Sequence, residues 1–494
     1  MAKGTLYSAL NRQKSLENMV CINDIMSKKQ LNELASDDYF VNFTRDDWKA
    51  KYPSIDPKYI WCQKSILFPV PLVYYDEEHH IFFSTNIIDT EIDKFLRNGK
   101  TSEQFLLDMI SWAMTQYQTK NWQALLMPAF SEQSGMVIMS LLKSILEHEE
   151  PSGAIYETFM SFYTMVDCGS NVLTAETIAK LEACKTEAQK RETRRKLDEK
   201  GLGETITVYR GMGSESTPAD KAFSWTTNQT TAYFFACWKD VQHAGVVKGT
   251  VSKEDVIEAL FDDRDEDELI IRPGKVIINE QIDCVSPQEF KNVVNEESLP
   301  RSEELASDLT AEPILDGIEA IYEDAGRKGD HDEKHSMRVA LMCSYLFRVL
   351  DKKEAFTGDA DERDTFCREL LTAAMWHDVG RTHDFIDETH GKRSADLYFE
   401  DSSDDDGFIE FLMTYHCLPD EQAKAEMKKT VAEEDQHNLW LCYQILKDAD
   451  AIDRWRFGHT CVDFFNVDFF RLKESKALVA VGKWLNEDGL DSLK

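Results

Sequence analysis

T-V-Y-R-G-M at 207–212 decides the first half of the fold, together with F-S-W-T-T at 223–227 and L-I-I-R-P-G at 269–274. Ile206, Val208 and Tyr209 are strand formers that end at Gly211. Phe223 to Thr226 alternates, and N-Q-T-T-A-Y-F-F-A-C-W at 228–238 returns to helical spacing by Thr231. Leu269-Ile270-Ile271 is an apolar strand that Pro273-Gly274 stops. The order is therefore strand, strand, helix, strand, with Arg210, Ser224 and Glu268 at successive strand edges. Those three residue types suit one chemistry. A guanidinium fork binds a diphosphate. A carboxylate beside a sugar stabilises the cation that forms as a glycosidic bond breaks. A hydroxyl orients both.

This ordered set resembles the mono-ADP-ribosyltransferases with an arginine–serine–glutamate signature. The resemblance covers roughly residues 150–290 and implies NAD as substrate and a protein acceptor. By it, Arg210 and Gly211 in Y-R-G and Ser224 and Thr226 in F-S-W-T match the NAD-binding positions, and Glu268 matches the catalytic glutamate. Glu266 matches the upstream member of the E-x-E pair, which in the family helps activate an arginine acceptor. The helix at Ala232–Ala236 fits the pattern; Trp225 departs from it, standing where many members have a small residue.

At 494 residues the chain calls for two or three domains. Its 56 Lys+Arg against 90 Asp+Glu give a net charge of −34, which argues against broad nucleic-acid or anionic-membrane binding. Eleven scattered cysteines with no C-x-x-C pair suit a reduced compartment. No run approaches the ~20 apolar residues of a membrane span. The opening M-A-K-G-T-L-Y-S-A-L carries no signal-peptide core. The expected location is cytoplasmic, with a host cytosol as the alternative for an effector exported without a cleaved leader.

Residues 1–200 read as largely helical. A first helical patch lies near Leu16–Met26. Ile66 to Tyr75 and Ile81 to Ile87 suggest a hairpin whose turn carries His79 and His80 as solvated groups. Phe105, Leu106, Met109, Ile110 and Met114 form one helical stripe, and Val137, Met139, Leu142 and Ile145 another. One helix is predicted over about 155–166 and one charged helix over 174–200. Val276-Ile277-Ile278 continues as strand, and residues 287–312, without periodicity, read as a linker.

Beyond the linker the pattern is helical throughout. Asp330-His331-Asp332-Glu333 looks like a capping box, and His335, Val339, Met342, Leu346 and Val349 share one helix face. L-L-T-A-A-M-W-H-D-V-G-R at 370–381 places His377-Asp378 at the end of an apolar helix. His390-Gly391 opens the next helix, His416 follows Phe411, Leu412 and Tyr415, and L-K-D-A-D-A-I-D-R-W-R at 446–456 closes the set. Inward histidines and carboxylates in a helical bundle suit a divalent or transition metal. The set resembles the HD-domain phosphohydrolases over about 312–460. The resemblance implies His335, His377, Asp378 and a late aspartate as metal ligands, the late one being Asp450, because A-D-A-I-D-R matches the family's alanine–aspartate position, with Asp448 as a competitor that helical phase does not separate from it. It implies His390 and His416 for a second metal or a phosphate, Arg381 as a phosphate contact, and His331 as a further candidate of that kind. The metal stays open among Mn, Mg, Fe, Ni and Zn.

The expected class is α+β: a mainly helical region over 1–150, a split-sheet ADP-ribosyltransferase-like domain over 151–290, a linker over 291–311, and an all-α HD-like domain over 312–494. The expected function is bifunctional: transfer of ADP-ribose from NAD to a protein, and metal-dependent phosphohydrolysis of a phosphorylated nucleotide or ADP-ribosyl adduct. Two readings compete. One is a nucleotide-signalling hydrolase with an NAD-sensing half. The other is an effector that transfers ADP-ribose and then cuts it to phosphoribose.

Overall fold

A computed structural model describes residues 53–56, 60–62, 72–76, 78–84, 100–131, 135–166, 170–214, 216–261, 266–296, 310–325, 330–401, 406–460 and 466–493. The patch near Leu16–Met26 lies outside these residues. The protein is mixed α+β with a helical C-terminal region. It divides into two compact units, residues 1–201 with 257–259, and residues 202–256 with 260–494.

In the first unit, β1 (Ile60–Cys62), β2 (Leu72–Asp76) and β3 (Ile81–Ser84) form a small antiparallel sheet. The β2–β3 pairing is the expected hairpin, although residues 66–71 and 85–87 lie outside the described set. Its turn is less wet than expected. His80 takes a left-handed φ of 55° and is buried, with Nδ1 3.2 Å from Ser144 Oγ, and burial pushes its pKa down to about 4. His79 donates to Asp76 instead of to water, at 2.7 Å.

Helices α1 (Ser102–Gln118), α2 (Trp122–Ser131), α3 (Gly135–His148) and α4 (Gly153–Tyr163) follow. Leu106, Met139, Leu142 and Ile145 are buried as their stripes predict. The charged stretch is two helices, α5 (Ala175–Ala183) and α6 (Glu187–Glu199). The break is chemical: Thr186 caps α6 in a reciprocal box with Gln189. Lys185, in the break, is buried and pairs with Glu258 at 3.1 Å.

A six-stranded antiparallel sheet is formed by β4 (Thr205–Met212), β5 (Ser224–Thr226), β6 (Gly245–Ser252), β7 (Val256–Leu260), β8 (Glu268–Ile271) and β9 (Ile277–Asp283), in the order β7-β8-β5-β4-β6-β9. The sheet is continuous, not split; Tyr209↔Thr226 joins β4 to β5. Helix α7 (Gln229–Lys239), capped by Asn228, lies directly on β4. Gly211 permits that approach, since a Cβ there would sit 2.2 Å from the Ala232 carbonyl oxygen.

The expected linker begins as a helix. Ser286 caps α8 (Pro287–Val294), with Pro287 at its first position and Glu289 in its first turn. Its buried Phe290 stacks on Tyr345, ring centroids 5.3 Å apart. Residues 297–309 are outside the described set. Nine α-helices follow among the described residues: α9 (Ala311–Ala325), α10 (Glu333–Lys352), α11 (Ala360–Trp376), α12 (His390–Asp401), α13 (Gly407–Tyr415), α14 (Asp420–Thr430), α15 (Gln436–Ile452), and the short α16 (Lys473–Ala477) and α17 (Val479–Trp484). Asp332 alone caps α10, accepting from the His335 amide, so the expected reciprocal box is absent.

The sheet and the helical half are not independent domains, and the boundaries expected at 150/151 and across 291–311 differ from the observed division. One hydrophobic core runs from Ala232, Tyr233 and Val246 through Phe290 to Leu346, Leu446 and Val479. Phe234 stacks on Trp455 at 5.9 Å. Thr230 Oγ1 accepts from the Val467 amide at 3.1 Å, and the Val285 amide donates to the Ala477 carbonyl at 2.8 Å. Each fully buried aliphatic or aromatic side chain contributes about 1.5–3 kcal/mol. A chain cut at a protease site inserted within 297–309 should therefore remain one particle under native conditions. Size-exclusion chromatography of the cut protein checks this; two separately eluting folded pieces would restore the two-domain expectation.

Candidate functional site

Helix ends bring the ionisable groups together. The α10 N-terminus supplies His335, with His331 just before it. The α11 C-terminus supplies His377 and Asp378, the α12 N-terminus His390, the α13 C-terminus His416, and α15 Asp450. His335 and His377 are fully buried, and Asp378, His390 and His416 nearly so. Asp450 keeps 34% of its side chain exposed, which makes its side the open one.

Asp378 lies at the centre. Its Oδ2 accepts from His331 Nδ1 at 2.5 Å and lies 3.4 Å from His335 Nε2. Its Oδ1 lies 3.0 Å from His390 Nε2 and 3.7 Å from His416 Nε2. His335 Nε2 is also 3.2 Å from His377 Nε2 and 3.4 Å from Asp450 Oδ1. One carboxylate thus faces two groups of donors, one on each oxygen.

The tautomers follow from the far side of each ring. His377 Nδ1 donates to the Ala374 carbonyl at 2.7 Å, His416 Nδ1 to the Met413 carbonyl at 2.7 Å, and His390 Nδ1 to the Asp387 carbonyl. His335 Nδ1 donates to Asp453 Oδ2 at 2.7 Å. Each neutral ring then presents Nε2 as a bare lone pair. His390 and His416 direct these lone pairs at each other across 2.9 Å, and His335 and His377 across 3.2 Å. Such contacts repel unless a proton or a cation lies between them. Burial pushes His377 down to about 3, which disfavours the proton. Burial also opposes charge on Asp378, yet His377, His331, His335 and His390 together hold it ionised well below the carboxylate range. Burial opposes protonation of His335 as well, but Asp378 and Asp453 outweigh this and raise its pKa, so at His335 Nε2 a proton competes with a cation for the space between the rings. The donor set of imidazole nitrogens and carboxylates fits a transition or divalent metal.

Several supporting residues escaped the sequence reading. Arg338 donates to both oxygens of Asp453, at 2.5 and 3.0 Å, and Asn486 Nδ2 donates to Oδ1 at 2.9 Å. Asp453 is thereby fixed as the carboxylate that orients the His335 ring. The signal was in the spacing: Arg338 is three residues from His335, and Asp453 three from Asp450.

The choice between the two late aspartates is settled by position. Asp448, the competing ligand, is no part of the cluster: it is buried, accepts from the Arg471 and Leu472 amides at 2.9 Å each, and pairs with the Arg471 guanidinium at 3.1 Å. Arg381 lies beside the cluster, with Nε 3.4 Å from Asp378 Oδ1 and Nη1 donating to the Phe385 carbonyl at 3.0 Å.

Gly391 sets the His390–His416 distance, because a Cβ there would stand 2.3 Å from the Met413 carbonyl oxygen. Gly391→Ala should push α12 off α13 and part the two histidines. The expected result, read by elemental analysis, is loss of metal bound on the His390 side with the His335 side still loaded. Full metal content in that variant would remove the His390–His416 pair from the centre.

The strand-edge residues also meet. Ser224 Oγ donates to Glu268 Oε1 at 2.5 Å, and Arg210 Nη1 donates to the Ser224 carbonyl at 2.6 Å. Antiparallel pairing of β5 with β8 sets Thr226 opposite Glu268. Thr226 Oγ1 donates to the Glu266 carbonyl at 2.6 Å and accepts from the Asn228 amide at 2.9 Å, tying the loop before β8 to the cap of α7. Gly211 has the packing role given above. Among the described residues no helix is long and apolar enough to cross a membrane. No known protein family matches the chain, nor does any curated relative or solved structure.

Proposed function

We propose that the chain is a bifunctional enzyme, an HD-type metal-dependent phosphohydrolase joined to an NAD-dependent mono-ADP-ribosyltransferase. The observation that carries the first activity is the convergence of four Nε2 lone pairs on one bridging carboxylate, with each Nδ1 held from behind. Such sites hold metals. A metal held by His335, His377, Asp378 and Asp450, with a second at His390 and His416, would supply Lewis acidity toward a phosphoryl group and activate water. The chain's own part is to direct each Nε2 at the centre, to keep Asp378 ionised, and to leave the Asp450 side open to substrate.

The transferase rests on a second observation, the hydrogen-bonded line Arg210–Ser224–Glu268 across three adjacent strands. Arg210 would bind the NAD diphosphate with Ser224 and Thr226 beside the ribose. Glu268 would stabilise the sugar cation as nicotinamide leaves, and Glu266 would activate an acceptor.

Incubation of the metal-loaded protein with labelled NAD and a cell lysate tests both activities. Labelled protein bands support the transferase, and free ADP-ribose alone a glycohydrolase. No NAD turnover, with hydrolysis of free nucleotides, would replace this proposal by the signalling hydrolase with an NAD-sensing half.

A further inference from the structure

Arg456 stands beside the metal centre with donors that its own chain does not use. It lies in the 3₁₀ segment Asp453–Thr460 that follows α15. Its side chain is 9% exposed, yet among the described residues Nε and Nη1 have no hydrogen-bond partner. Nη2 lies 3.5 Å from His331 Nε2. Nη1 lies 3.5 Å from Asp453 Oδ2, too long for a directed bond.

Asp453 does not need this guanidinium. Its two oxygens already accept four bonds, two from Arg338, one from His335 and one from Asn486. That fills the acceptor capacity of a carboxylate. The Phe457 ring lies 4.4 Å from Arg456 Cζ and covers one face of the guanidinium. Leaving charged donors buried and unmatched is costly unless an anion completes them. The other two arginines at the cluster are engaged, Arg338 with Asp453 and Arg381 with the Phe385 carbonyl.

We infer that Arg456, flanked by His331, is the oxyanion-binding arm of this centre and takes a phosphoryl group of the substrate. A planar fork with two open N–H groups suits two phosphoryl oxygens. The inference rests on the phosphohydrolase reading and narrows its substrate to one that can present phosphoryl oxygens to Arg456 beside His331. Arg456 would bind and orient; the step at phosphorus would remain with the metal centre.

The test is calorimetric titration of inorganic phosphate into parent, Arg456→Gln and Arg456→Lys proteins, metal-loaded and metal-free, with metal content measured on each. Arg456→Gln should bind phosphate at least tenfold more weakly at unchanged metal content. Arg456→Lys, which keeps a point charge and loses the fork, should fall between, and decides the matter alone if the glutamine variant does not fold. Unchanged phosphate affinity in the variants overturns the inference and leaves the metal centre standing. Loss of metal from Arg456→Gln also overturns it, since Arg456 would then be a support for Asp453. A parent protein that takes up no metal overturns the phosphohydrolase reading instead. The metal-free titration still decides Arg456: phosphate binding that the variants weaken upholds the arm, and phosphate binding that is absent or unaltered refutes it.

Discussion

Asp378→Ala should empty both sides of the metal centre at once. One oxygen of Asp378 faces His331 and His335 and the other faces His390 and His416, so a single deletion removes a ligand from each group. It also removes the negative charge that offsets any cation placed among buried imidazoles. His390→Ala, by contrast, should lose only its own side. The loss of activity should be large. Metal chemistry contributes several kcal/mol to a phosphoryl transfer, and each 1.36 kcal/mol is tenfold in rate, so hydrolysis should fall by about a thousandfold or more. Elemental analysis and phosphoester hydrolysis, measured together, check this. An Asp378→Ala protein that keeps metal on both sides would mean that Asp378 is a structural acceptor for His331 and that the centre is built otherwise.

The histidines of this centre were legible because helical periodicity shows which face of a helix turns inward. His335 shares its face with Val339, Met342 and Leu346, all buried. The preference for Asp450 over Asp448 came from the A-D-A-I-D-R resemblance, and helical phase could not supply it. Both lie on α15, which is apolar over a wide arc, and what separates them is Arg471 and Leu472, whose amides capture Asp448 from a later segment. Helix α8 was missed because eight residues show too little periodicity. Its signal was local instead, Ser286, Pro287 and Glu289 in sequence.

The union of the sheet with the helical half was hidden for another reason. Its contacts join residues far apart in sequence, such as Thr230 and Val467, 237 positions from each other. The apolar residues of α7 read equally well as the core of a separate small domain. Only the structure shows Phe234 stacked on Trp455, two residues beyond the Asp453 that orients His335. On the other side of α7, Gly211 lets β4 lie against it, next to Arg210. The two candidate sites therefore lie on one shared hydrophobic core. That arrangement suits successive steps on one acceptor at least as well as two unrelated activities.

Glu268→Gln is the variant that separates those steps. Ser224 Oγ–H donates to Glu268 Oε1, and a glutamine carbonyl can accept the same bond, so the side chain should keep its place and lose only its charge. Stabilisation of the sugar cation needs that charge. Transfer of ADP-ribose should fall by about a hundredfold or more, while NAD binding largely survives because Arg210 is untouched. Hydrolysis of a free phosphoester at the metal centre should also be unchanged, since the Glu268 carboxylate is no part of the His–Asp cluster. Asp378→Ala should show the converse, with normal first transfer and no hydrolysis. If the hydrolase acts on the transferred group, Asp378→Ala should accumulate acceptor carrying intact ADP-ribose where the parent leaves a smaller adduct, and mass spectrometry reads the difference directly. Identical adducts from both proteins would leave the metal centre with a free nucleotide as substrate. Loss of transfer in Asp378→Ala, with the fold intact, would show that coupling runs through the shared core from the metal centre to the strand edge. Normal transfer by Glu268→Gln would remove the transferase assignment altogether and leave Ser224 and Glu268 as a sheet-edge hydrogen bond.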